Sequence, residues 1–143
     1  MLPTFEFAFP GELRDRLVAA VLDGSKTSTT GLLVSFEYEG EALPTVGERW
    51  AVVDSGGCPA AVIEITEVRV VPLAEVDLAQ AVDEGEGDAD VAAWRATHER
   101  YWHGVEMREA MGDPGFTVDD TTLAVLQRFR VVQRLEAGIP VSA

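Results

Sequence analysis

Arg49-Trp-Ala-Val-Val-Asp-Ser-Gly-Gly-Cys-Pro-Ala-Ala-Val-Ile-Glu-Ile-Thr-Glu-Val-Arg-Val-Val71 is the stretch that decides the fold. Apolar, β-branched runs stand on either side of Ser55-Gly56-Gly57, a pattern that predicts an antiparallel hairpin. Thr122 to Leu135 supplies a third extended run, with Leu123, Val125 and Phe129 as strand residues. Upstream, Gly11 to Leu22 reads as a helix: Leu13, Leu17, Ala20 and Val21 share one face, Arg14, Asp15 and Arg16 fall largely outside it, and Gly24 stops it. Leu32 to Tyr38 fits a short helix or a strand equally well. Asp90 to Ala110 reads as a second long helix, whose wheel gathers Trp94, His98, Tyr101, Trp102 and Val105 with Val91 into one stripe. Hairpin connections without βαβ units predict an α+β domain on a mostly antiparallel, barrel-like sheet. Residues 1–135 form the single expected domain and 136–143 a short flexible tail.

The chain has 143 residues, 47% of them hydrophobic. A chain of this length buries roughly 68–70% of its unfolded surface, so a packed core needs no disulfide scaffold. Cys58 is the single cysteine and leaves no internal disulfide to form. Asp and Glu number 25 against 11 Lys and Arg, a net charge of −14. Coating long nucleic acid needs a dense basic surface, so that class is excluded, while a local basic pocket is not. With neither a signal peptide pattern nor an apolar run near the ~20 residues of a membrane span, a cytoplasmic protein without membrane contact is expected.

Most motif-like strings fail on spacing. Gly24-Ser-Lys26-Thr27 lacks the P-loop glycines, which would stand at Ser25 and Ala20, and Gly85-Glu-Gly87 has Asp90 where a dinucleotide fingerprint needs Gly. His98 and His103 lie five residues apart, about 140° around a helix, so no metal site is expected from them. Asp54-Ser55-Gly56 is no nucleophile elbow. The acidic run Asp83-Glu84-Gly85-Glu86-Gly87-Asp88-Ala89-Asp90 reads as a solvated loop in which Asp88 or Asp90 caps the following helix. Glu86, between two glycines, is placed to present a single carboxylate.

Lys26 is the only lysine beside ten arginines. An ammonium is a compact charge that can lose its proton when desolvated, which a guanidinium cannot. Ser25, Thr27, Ser28, Thr29 and Thr30 surround it with hydroxyls, a combination suited to a turn and to an anion-binding or nucleophile loop. Trp94, His98 and Tyr101 offer either a helix-to-sheet core or a face on which a base could stack. A histidine in that stripe needs hydrogen-bond partners. The stripe is therefore expected to border the pocket that holds Lys26.

Gly24-Ser-Lys-Thr-Ser-Thr29, Leu43-Pro-x-x-Gly47, Pro59-Ala-Ala-Val-Ile-Glu-Ile-Thr-Glu-Val68, Glu84-Gly-Glu-Gly-Asp88, Trp94-Arg-x-x-His98-x-x-Tyr101 and Phe129-Arg-Val-Val132, in that order, resemble the ASCH domain family in its longer bacterial form. The likeness runs from Gly11 to Gln133. It implies a PUA-like fold, a small β-barrel with flanking helices and a cleft. It also implies a role in RNA binding, ribonuclease activity, or amidohydrolysis of N-acetylcytidine, the last belonging to a short bacterial branch. That branch uses a Lys-x-x-Thr pair and a Glu, which fall here on Lys26, Thr29 and Glu86; Gly31 stands where the branch has Arg.

The resemblance thus points to Lys26, Thr29 and Glu86 as catalytic residues, with Ser25, Thr27, Trp94, His98 and Tyr101 around the substrate and neither metal nor cofactor. The expected partner is a modified nucleoside or a short RNA, taken by a monomer or weak dimer. If Thr29 attacks an acyl carbon, Lys26 can take its proton only if its pKa falls by roughly three units. A neighbouring Glu86 opposes that fall and favours Lys26 as a charged oxyanion clamp. A basic stripe of Arg14, Arg16, Arg128 and Arg130 would instead favour RNA.

Overall fold

A computed structural model describes residues 2–135; the expected C-terminal tail lies outside them. Strands β1 (Thr4–Phe5), β2 (Ser28–Leu32), β3 (Arg49–Val53), β4 (Pro59–Pro72) and β5 (Leu123–Arg134) form one sheet in the order β1-β3-β4-β5-β2. β1 and β2 are its two edges, so the sheet is open and the expected barrel is corrected to an open, mixed sheet. Among the described residues only β1 and β3 pair in parallel. The hairpin forms as read: Trp50 pairs with Ile63 and Val52 with Ala61, with an irregularity beside Val53. β4 and β5 run together from Ala61↔Arg134 to Pro72↔Leu123, bending at irregularities near Ile63 and Thr66.

Helix α1 (Glu12–Asp23) ends on Gly24, whose φ of 86° is open to a residue without Cβ. It packs Val18 and Val21 against Val52, Ile63, Ile65 and Phe129. Arg14, read as outward-facing, is buried: its Nε and Nη2 donate to the carbonyls of Phe7 and Ala8, pinning the β1–α1 connection to the helix. Leu33–Glu39 resolves as helix α2. Short helix α3 (Leu78–Asp83) is capped by Asp77, whose carboxylate accepts from the Gln80 amide.

The expected long second helix is two. α4 (Val91–Trp102), capped by Asp90, stops at His103, and α5 (Val105–Ala110) starts after Gly104. Glycine is a poor helix interior residue, and His103 is drawn away because its Nε2 accepts from the Val118 amide at 3.1 Å. The apolar stripe therefore ends at Trp102, and Val105 is exposed. Trp94 and Trp102 pack with Leu32, Leu73, Ala124 and Leu126 in a second buried cluster. No helix among the described residues is long and apolar enough to cross a membrane.

Candidate functional site

The hydroxyl-rich segment is half loop, half strand. Ser28, Thr29 and Thr30 belong to edge strand β2, and only Ser25 to Thr27 form the connection expected throughout. β2 pairs with β5 on one side, with Thr29 opposite Gln127 and Thr30 opposite Leu126. The end of α3 and the acidic loop after it pack near the other side. Gly85 makes this approach possible: at φ +70° its missing Cβ would lie 2.5 Å from the Ser25 carbonyl oxygen. The two segments are tied by the Thr27 amide donating to the Asp83 carbonyl at 2.8 Å.

Glu84 stands at the centre of this junction, and only 1% of it is exposed. Its Oε2 accepts from the Thr30 hydroxyl at 2.6 Å, the Trp94 indole at 2.8 Å and the Gln80 amide at 3.3 Å. Its Oε1 lies 3.1 Å from His98 Nε2 and 3.8 Å from Lys26 Nζ. Burial alone would raise its pKa. The His98 hydrogen bond, the charges of Lys26 and His98, and the Thr30 hydroxyl outweigh burial and hold it down at about 2.

His98 faces two acceptors, the Trp94 carbonyl 2.9 Å from Nδ1 and Glu84 beside Nε2. Both contacts are satisfied only when both ring nitrogens carry protons. Burial works against that cation, but Glu84 outweighs it and the pKa of His98 rises. The ring also stacks on Trp94 with centroids 4.2 Å apart.

Lys26 is as buried as Glu84, at 1% exposure. Its Nζ donates to the carbonyls of Ser28 at 2.9 Å and Glu84 at 3.2 Å. Burial lowers its pKa, with Glu84 and Glu86 partly offsetting the fall. Glu86 lies 3.8 Å from His98, and burial, reinforced by Glu84 and Asp88, lifts its carboxyl above the ordinary range against the pull of Lys26 and His98.

These groups open onto a cleft of about 800 Å³ lined by Lys26, Thr29, Thr30, Glu84, Glu86, His98 and Tyr101 together with Phe7, Phe9, Phe36 and Gln127. Carboxylate oxygens of Glu84 and Glu86 and a ring nitrogen of His98 come within 4.8 Å of one another, the donor set of a small cation. In the geometry described, His98 Nε2 and Glu84 are already joined by a hydrogen bond, and Lys26 supplies a further positive charge.

A family model for the ASCH domain matches residues 4–133. The chain belongs to the ASCH domain family. No curated protein matches it. Among solved structures, this ASCH domain is similar to a protein from Enterococcus faecalis V583, with 27% identity, 94% of this chain and 78% of that one covered, and a TM-score of 0.81. It is also similar to an ASCH domain from Lactobacillus crispatus JV V101, with 26% identity, 92% and 80% coverage, and a TM-score of 0.79. A mutant ASCH protein from Zymomonas mobilis shares the fold at 13% identity, with 86% and 68% coverage and a TM-score of 0.52.

Of the residues singled out in the sequence, this ASCH domain brings Lys26, Thr29, Glu86, His98 and Tyr101 to the cleft. Ser25 and Thr27 are corrected: both are exposed outside it, Ser25 bonded to the Ala20 carbonyl and Thr27 to that of Asp83. Trp94 is corrected too, since it is fully buried and its indole holds Glu84 instead of offering a stacking face. The basic stripe does not form. Arg14 is buried, Arg128 pairs with Asp83 and Glu67, and Arg130 pairs with Glu64.

Two residues escaped the sequence reading. Glu84, grouped with the solvated carboxylates, is the hub, and Gln80 binds it. Their signal was spacing: Gln80 and Glu84 are four residues apart, as are Trp94 and His98, and such pairs share a helix face.

Proposed function

We propose that this ASCH domain hydrolyses the acyl amide of a small modified nucleoside of the N-acetylcytidine type. Family membership implies an RNA-related role in general, and the cleft narrows it. The observation that carries the reading is that Lys26, Thr29 and Glu86 border one cleft. Lys26 Nζ has two carbonyls within hydrogen-bond distance, so one of its positions stays free.

Thr29 is the nucleophile. Its hydroxyl oxygen bonds to the acyl carbon, the C–N bond breaks, and the amine leaves with a proton. Water then cleaves the resulting ester and regenerates the hydroxyl. Glu86 takes the hydroxyl proton, burial having made its carboxylate a stronger base than usual. Lys26 lies 3.8 Å from the Glu84 carboxylate and keeps its charge, the oxyanion clamp that charge counting favours. Burial lowers its pKa, but Glu84 and Glu86 both oppose that fall. Glu86, whose carboxyl is held above its ordinary range, then returns that same proton to the leaving amine.

The lining disfavours a phosphorylated strand. Glu6, Glu39, Glu41, Glu84, Glu86 and Asp88 face Arg14, Arg16 and Lys26 there, and Arg14 and Lys26 are committed to backbone carbonyls. A neutral nucleoside meets less repulsion than RNA.

Release of cytidine from N-acetylcytidine by purified protein tests the reading. Thr29→Ala should abolish turnover, and Lys26→Met, which removes the clamp's charge, should lower it at least a hundredfold. Lys26→Met activity within tenfold of wild type would sink the clamp. Binding or cleavage of a short RNA without turnover of the nucleoside would replace the hydrolase reading by an RNA-directed one.

A further inference from the structure

Gln127 lies on β5 directly opposite Thr29, so the two side chains share the sheet face that borders the cleft. Only 3% of the residue is exposed, and its Oε1 has no hydrogen-bond partner among the described residues. Gly31, next on that face of β2, has no side chain to supply one. A Cβ there would lie 3.8 Å from the Gln127 amide nitrogen and 3.0 Å from the Phe36 ring. A buried, unpaired amide oxygen destabilises a fold, and an apolar residue of similar shape would not carry that penalty. A polar group kept at such a cost beside a cleft is accounted for by a ligand that completes it.

We propose that Gln127 is a specificity residue whose amide reads a planar ligand edge carrying an N–H donor beside an acceptor, the edge that a cytosine-type base or an N-acyl amide presents. This rests on the nucleoside-amide reading and names which part of the substrate is recognised. Residues opposite each other on antiparallel strands have Cβ atoms about 5 Å apart. An acyl carbon over the Thr29 hydroxyl therefore brings its amide nitrogen toward Gln127. A phosphate, which offers acceptors only, leaves Oε1 unpaired, and an aliphatic ligand leaves the whole amide unpaired.

The test uses ¹⁵N-labelled protein, with the Gln127 side-chain NH₂ resonance assigned by its loss in Gln127→Leu, titrated with N-acetylcytidine, cytidine and ribose. The nucleosides should move that resonance and ribose should not. Gln127→Leu should bind them at least tenfold more weakly and melt roughly 3 °C higher, since it no longer buries an unpaired oxygen. Nucleoside binding that leaves the resonance unmoved, an unchanged affinity in Gln127→Leu, or no binding of either nucleoside overturns the proposal. Cleavage is followed on the same samples. Binding through Gln127 without cleavage overturns the hydrolase reading alone.

Discussion

At the centre of the sheet, Val52, Ile63, Ile65 and Phe129 exclude water by packing apolar side chains together, whereas beside edge strand β2 Glu84 is equally inaccessible and is held by Thr30, Gln80, Trp94, His98 and Lys26. The first region needs volume and hydrophobicity, and any well-packed set of apolar side chains supplies them. The second needs particular atoms at particular places. Gln80, Trp94, His98 and Lys26 are themselves buried and Thr30 is half-buried, so losing the carboxylate would leave donors without their acceptor. A polar junction of this kind tolerates little exchange, and that intolerance keeps Lys26 and Glu86 fixed beside the cleft.

The largest break in the comparison is Glu84→Ala, which strands two cations and three neutral donors. It should cost about 3–5 kcal/mol in chemical denaturation. A loss below 1 kcal/mol would put Glu84 on the same footing as an ordinary core residue.

Acid probes the same group without a cavity. The folded pKa of Glu84, near 2, lies below its ordinary 4.5, so its contribution is present above 4.5 and disappears as pH falls toward 2. The difference is worth about 3 kcal/mol by linkage. The stability gap between wild type and Glu84→Gln should accordingly shrink between pH 5 and pH 2 as measured by urea titration, and a gap independent of pH would contradict the ionised hub.

Gly85→Ala should cost about 2 kcal/mol, because the new Cβ meets the Ser25 backbone and the residue keeps a left-handed φ. It should also reduce activity by displacing Lys26 and Glu86 together. Thermal melts paired with nucleoside turnover check both effects. At the quiet end, Ile63→Val in the apolar cluster should cost about 1 kcal/mol and leave turnover unchanged. A turnover defect there would show that the two regions are coupled.

The apolar half was legible because it repeats a pattern: β-branched runs, a Gly-Gly turn and α1's stripe each announce themselves through periodicity. The break at Gly104 was not, because the stripe's angular pattern continues through Val105 although the backbone does not. Arg14 misled in the same way. Its charge argues for solvent, and only the Phe7 and Ala8 carbonyls, set by tertiary approach, make burial affordable. Lys26, Thr29 and Glu86 stood out through composition and motif. Glu84 was hidden because sequence records its charge but not the donors that 4 to 58 residues of separation bring to it.

The pairing of β2 has a consequence for how the molecule assembles. β2 hydrogen-bonds along the sheet only to β5, and Ser28 meets Arg128 across roughly a hundred residues of chain. The loop-closure entropy of that contact is recovered only once the last strand has formed. On a ribosome, α1 and the β3–β4 hairpin emerge long before it. The strand that follows Lys26 is therefore anchored only when β5 docks, and the cleft, which β2 and β5 line with Thr29 and Gln127, is completed late in folding.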